Sequence, residues 1–140
     1  MYTEPEPILS GNDLNTLKEA FTSVRNSIQW KPYKATAHLE KRRNMGHIAS
    51  AASLGDYEEI ISSLVHQDDN ALYLYEFQGK HYYVVRGFYD TQEWVVIFGA
   101  KGVMETAFPP QDTDDYINRR GFLYLGRIKE VLEWTTKPGN

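Results

Sequence analysis

The sequence predicts an α+β domain: amino-terminal helices packed on one face of an antiparallel meander of about four strands, with a short carboxy-terminal extension. Two changes of pattern carry this expectation. Apolar residues recur at helical spacing through residue 66, and from Ala71 onward the chain turns to short runs rich in Tyr, Val, Ile, Phe and Trp divided by polar breaks. Size agrees, since 140 residues with 41% hydrophobic content supply one ordinary core. A single domain over residues 1–140 is expected, with flexible ends at 1–11 and 135–140.

The first helix runs from about Leu14 to Ile28, where Leu14, Leu17, Phe21, Val24 and Ile28 share a face and Asn12 or Asp13 is placed to cap the start. Pro32 in "WKPY" interrupts the helical pattern. A second helix is expected from about Lys34 to Met45, ended by Gly46 in a left-handed cap. A third runs from about Asp56 to His66 on the stripe Tyr57, Ile60, Ile61, Leu64 and Val65, with Glu58 and Glu59 near its positive end. "ALYLYEF", "HYYVVRGFY", "EWVVIFG" and "VMETAF" then read as four strands, and their tight connections make an antiparallel meander the simplest arrangement. After the loop "PPQDTDD" a short helix from Tyr116, a strand "FLYLG" and a terminal helix through "RIKEVLEW" complete the chain.

The net charge of −4 argues against broad nucleic-acid binding, which rests on many phosphate contacts from Lys and Arg. Charge is nevertheless unevenly spread. From Lys31 to His47 five cations stand against Glu40 alone, whereas Asp56 to Asn70 holds five carboxylates and Glu105 to Asp115 four more. A local cationic site is therefore compatible with an acidic chain. No apolar run approaches the roughly 18 residues that span a bilayer, and "MYTEPEPILSGND" lacks the basic and apolar segments of a signal peptide, so no membrane partner is expected and the location is expected to be cytoplasmic. The chain has no cysteine, which removes disulfides, thiol nucleophiles and thiolate-bound zinc.

The second helix carries the residues with chemical potential. His38 and Arg42 are four apart and lie one turn from each other at the edge of the buried stripe. A half-buried imidazole beside guanidinium groups has its charged form disfavoured, which suits a base near neutral pH, and the planar guanidinium matches phosphoryl oxygens. Such a pair fits metal-independent RNA cleavage, in which a base takes the 2′-OH proton and cations stabilise the transition state. In the strands, Arg86 needs a carboxylate such as Glu76 or Glu105 if it does not face a site, and Thr106 is placed to hydrogen-bond a phosphate oxygen. Lys41, Arg43, His81 and Tyr83 complete the candidate set as substrate contacts, and exposed tyrosines are able to stack on unpaired bases. The plainer alternative makes His38 a satisfied core histidine and Lys41, Arg42 and Arg43 a solvated face. P-loop, GxGxxG, HExxH, GxSxG and EF-hand signatures are absent, and His38 and His47 have no third ligand nearby, so neither metal nor cofactor is expected.

The order of "HLEKRRNMGHI", an amphipathic helix and a meander ending in "WVVIFGAKGVMETAFPP" resembles the superfamily of small bacterial nuclease domains that groups barnase-like, colicin-type and RelE-like RNases, many of them toxins. The resemblance covers roughly Tyr33 to Pro110. It implies an endoribonuclease with His38 and Arg42 at the helical catalytic positions, Thr106 in the last strand, Arg86 less securely placed, RNA as substrate, a 2′,3′-cyclic phosphate product and a cognate inhibitor as partner. Two features depart from it, the acidity of the chain and the extension after Pro110. The competing class is a non-catalytic acidic binding protein, an immunity or antitoxin-like partner or a degenerate nuclease fold, whose acidic stretches engage a basic protein surface.

Overall fold

The computed structural model describes residues 9–135; of the two ends expected to be flexible, residues 1–8 and 136–140 lie outside the described residues. The chain is α+β, with helices α1 (Gly11–Asn26), α2 (Lys34–Asn44), α3 (Leu54–His66), α4 (Thr113–Arg120) and α5 (Ile128–Leu132). Strands β1 (Gln29–Trp30), β2 (Ala71–Phe77), β3 (Lys80–Tyr89), β4 (Gln92–Phe98), β5 (Val103–Phe108) and β6 (Leu123–Arg127) form one sheet in the order β1-β5-β4-β3-β2-β6. The expected meander is present as β2 to β5, antiparallel throughout. Two edges extend it into a six-stranded mixed sheet: β6 pairs antiparallel with β2, and the two-residue β1 pairs parallel with β5.

Local chemistry explains most element boundaries. Helix α1 is capped by Ser10, whose Oγ accepts the Asp13 amide at 3.1 Å, rather than by Asn12 or Asp13. Helix α3 opens with a reciprocal capping box, Ser53 Oγ to the Asp56 amide and the Asp56 carboxylate to the Ser53 amide, two residues earlier than the stripe alone suggests. Helix α2 closes on Gly46 at φ +73°, with the His47 amide returning to the Arg42 carbonyl at 2.9 Å. The β2–β3 turn uses Gln78 and Gly79, both at positive φ, as a two-residue hairpin requires.

Burial sorts the sheet into two faces. One is sealed by α1, α3 and α5: Leu17, Phe21, Ile61 and Leu64 meet Leu72, Tyr83, Val85, Trp94, Val96 and Phe98 in the main core, with Ile128 and Val131 of α5 closing the β2 end. Each such side chain contributes on the order of 1.5–3 kcal/mol by leaving water. On the other face Val84, Val95 and Ile97 form a smaller cluster covered by Phe108, Tyr116 and Phe122 with a row of tyrosines. The helices therefore do not all share one face, because α4 brings Tyr116 against the opposite side of the sheet.

Candidate active-site groove

Helix α2 is the least amphipathic of the long helices, burying only Leu39 and Arg42, so tertiary contacts fix its position. Trp30 of β1 stacks on the His38 ring at 5.6 Å between centroids, and its indole N–H donates to Glu58 at 3.0 Å. Arg43 donates its guanidinium to the Ala52 carbonyl, with Nε at 2.7 Å. These contacts set α2 against the β5 edge of the sheet. Thr106 projects there from the second face, since it pairs with Ile97 and alternation separates it from buried Ala107.

The result is an open groove of about 610 Å³ that His38, Lys34, Lys41, Arg42 and Thr106 line from the α2 side. Thr106 Oγ1 and His38 Nδ1 stand 3.4 Å apart, at the long end of hydrogen-bond reach. His38 is half-buried, and burial lowers its pKa below the usual imidazole value; Arg42, Lys34 and Lys41 push the same way and Glu105 opposes them. The shift favours the neutral ring. Glu105 is the one carboxylate of the lining, and Lys31 pairs with it at 2.9 Å.

Arg42 is the unusual member. It is 3% exposed, yet no carboxylate meets it among the described residues. Its guanidinium lies over the Phe108 ring at 5.2 Å, its Nη1 reaches His47 Nδ1 at 3.2 Å, and its Nε is buried without a partner. Both Arg42 and burial keep His47 below the usual imidazole value, burial being the larger cause. The phenol of Tyr57 is pushed up to about 12 by burial and donates to the Ala107 carbonyl at 2.6 Å, so it offers Arg42 no negative charge. Burying a guanidinium with so little compensation is costly, and an anion in the groove would supply what the protein does not.

Of the sequence candidates, His38, Arg42, Thr106 and Lys41 come together in this groove. Four others do not. Arg86 is on the same sheet face but binds the Glu93 carboxylate through Nε at 3.0 Å and Nη2 at 3.2 Å and Asp114 at 2.8 Å, tying β3 to β4 and α4. Its partners are thus Glu93 and Asp114, not Glu76 or Glu105, and its pKa is raised by those bonds, that to Glu93 foremost. Tyr83 is buried in the main core, its pKa pushed up to about 12 chiefly by burial, and it does not line this groove. His81 lies on the helix side of the sheet between Asp13 and Glu76, 3.9 and 3.7 Å away. Arg43 is spent on Ala52.

Residues that sequence reading passed over also line the groove, among them Phe108, Tyr116, Arg120 and Phe122. Arg120 Cζ lies 5.0 Å over the Tyr116 ring. Nothing local marks Arg120, since its place depends on α4 folding back across the sheet. Among the described residues no group of three His, Asp or Glu side chains is disposed to hold a metal ion, and no helix is long and apolar enough to cross a membrane. No family model, curated protein or solved structure matches this chain.

Proposed function

We propose that the groove cleaves RNA phosphodiesters without a metal, with His38 as general base. The observation that carries the reading is the meeting in one open groove of half-buried His38, Thr106 and a buried Arg42 that no carboxylate meets among the described residues. With Nδ1 protonated and donating to Thr106 Oγ1, His38 Nε2 keeps its lone pair to take the 2′-OH proton. The Thr106 hydroxyl is then left to donate its own hydrogen to a phosphate oxygen. Arg42 stabilises the charge that grows on the phosphoryl oxygens, and Lys34, Lys41 and Arg120 draw the backbone in. The 2′-oxygen attacks phosphorus, the bond to the 5′-oxygen breaks, and water reprotonates the leaving oxygen. The products are a 2′,3′-cyclic phosphate and a 5′-hydroxyl.

The competing role as an acidic docking protein receives less support, because several carboxylates of its acidic stretches are already paired within the chain. Asp68 meets Arg25, Asp69 meets Arg127 and Lys129, Asp114 meets Arg86 and Asp115 meets Arg119. The test is incubation of purified protein with total RNA in EDTA, beside His38→Ala and Thr106→Val. Cleavage that leaves cyclic phosphate ends and falls by at least about 100-fold in His38→Ala is expected. Cleavage indifferent to His38, or none by the parent chain, would overturn the reading.

A further inference from the structure

The floor of the groove is aromatic well beyond what a scissile phosphate requires. Tyr75 and Phe77 stack at 5.9 Å with an interplanar angle of 19°, Tyr75 meets Phe122 at 4.9 Å and Tyr82 at 6.3 Å, and Phe122 continues to Tyr116 at 5.7 Å. All five rings line the same groove as His38 and Thr106. Phe77 is 48% exposed at the end of β2, where a phenyl ring seals no core. An isolated exposed ring is ordinary, but a run of rings in one cleft is not.

The charge around the rings identifies what they fit. Lys34, Lys41 and Arg120 are exposed on the groove walls, and none has an ion pair among the described residues. The only carboxylate of the lining, Glu105, is already paired with Lys31. Aromatic rings that share a groove with unpaired cations match a ligand that alternates π-faces with negative charges, which is a nucleic-acid single strand. A duplex hides its base faces in its own stack and offers such a floor only phosphates.

We propose that Tyr75, Phe77, Tyr82 and Phe122 form a stacking platform for unpaired bases flanking the scissile phosphate, making single-stranded RNA the substrate class. This rests on the groove being a phosphodiester site. Bases lie against the rings while Lys34, Lys41 and Arg120 follow the backbone toward His38. Arg120, whose Cζ already lies 5.0 Å over the Tyr116 ring, adds a planar cation beside the platform.

The test is fluorescence anisotropy at low salt with a labelled all-deoxy octathymidylate strand, which has base faces and phosphates but no 2′-OH to be cleaved. It is compared with its duplex and with an abasic octamer that keeps the phosphates alone. The single strand is expected to bind at least about 10-fold more tightly than either comparison, the scale of one base–aromatic stack. Phe77→Leu loses about that factor and Phe77→Trp does not, which separates a flat ring from mere apolarity. Equal binding of the abasic strand or the duplex, or full affinity in Phe77→Leu, overturns the platform. So does failure of every oligonucleotide to bind while Phe77→Leu abolishes self-association in sedimentation, since the face would then meet protein. Cleavage of total RNA is scored separately: a platform that binds without cleavage sinks the nuclease alone, and His38-dependent cleavage blind to Phe77 and strandedness sinks the platform alone.

Discussion

The Arg42 guanidinium rests 5.2 Å above the Phe108 ring, buried and, among the described residues, without a carboxylate to meet it. A buried charge of this kind does not serve stability, because an apolar side chain of similar volume avoids its desolvation. Burial accordingly lowers even the guanidinium pKa. Arg42→Met should leave the urea unfolding midpoint unchanged or raised while RNA cleavage falls by at least about 100-fold. A large loss of stability in Arg42→Met would instead make the arginine a packing residue.

The two depressed histidines set the sign of the pH dependence. His38 and His47 both have native pKa values lowered from 6.5, burial being the first cause in each case. Below about 6.5 the unfolded chain binds protons that the native state refuses, so stability declines on acidification and levels off once the native values are passed. Thermal unfolding followed from neutral to mildly acidic pH should show this fall, and His47→Gln should shrink it. The acid limb of log kcat/KM for RNA cleavage should have its midpoint below 6.5, and a midpoint above that value would remove His38 from the role of base.

Arg86 should behave as a structural residue. Arg86→Ala strips the partly buried Glu93 of both its guanidinium bonds, and a loss of roughly 1–3 kcal/mol in chemical denaturation is expected. Cleavage per folded molecule should stay within about threefold of the parent, since Arg86 lines a different depression, beside Pro109 and Asp112. A loss of rate without a loss of stability would bring Arg86 back into the chemistry.

The turn between β4 and β5 depends on Gly102. It sits at φ +76°, and a Cβ there would lie 2.8 Å from the Val24 amide nitrogen and 3.0 Å from the Ala20 carbonyl oxygen of α1. Gly102→Ala should destabilise by roughly 2–4 kcal/mol, the sum of backbone strain and a helix pushed off the sheet. Gly46 has a similar φ of +73° but open space around it, so Gly46→Ala should cost only roughly 1 kcal/mol. Equal losses in urea titrations would show that α1 accommodates the added methyl.

What the sequence settled by itself is what short-range physics controls. The stripe of Leu14, Leu17, Phe21 and Val24 and that of Tyr57, Ile60, Ile61 and Leu64 specify two core helices, because only a helical period puts those residues on one face. Gly46 ends α2 and the Gln78–Gly79 turn joins β2 to β3 through backbone freedom, and tight turns bind β2 to β5 into a meander. His38 and Arg42 share a helix side for the same local reason. The tertiary structure decided everything that depends on long-range contact: His38 meeting Thr106, 68 residues away; Arg86 diverted to Glu93 and Asp114; β1 and β6 recruited to the sheet edges; and Arg120 with Tyr116 carried over the second face. These pairings are chosen by which surfaces can be buried together and which charges find partners, and spacing along the chain records neither.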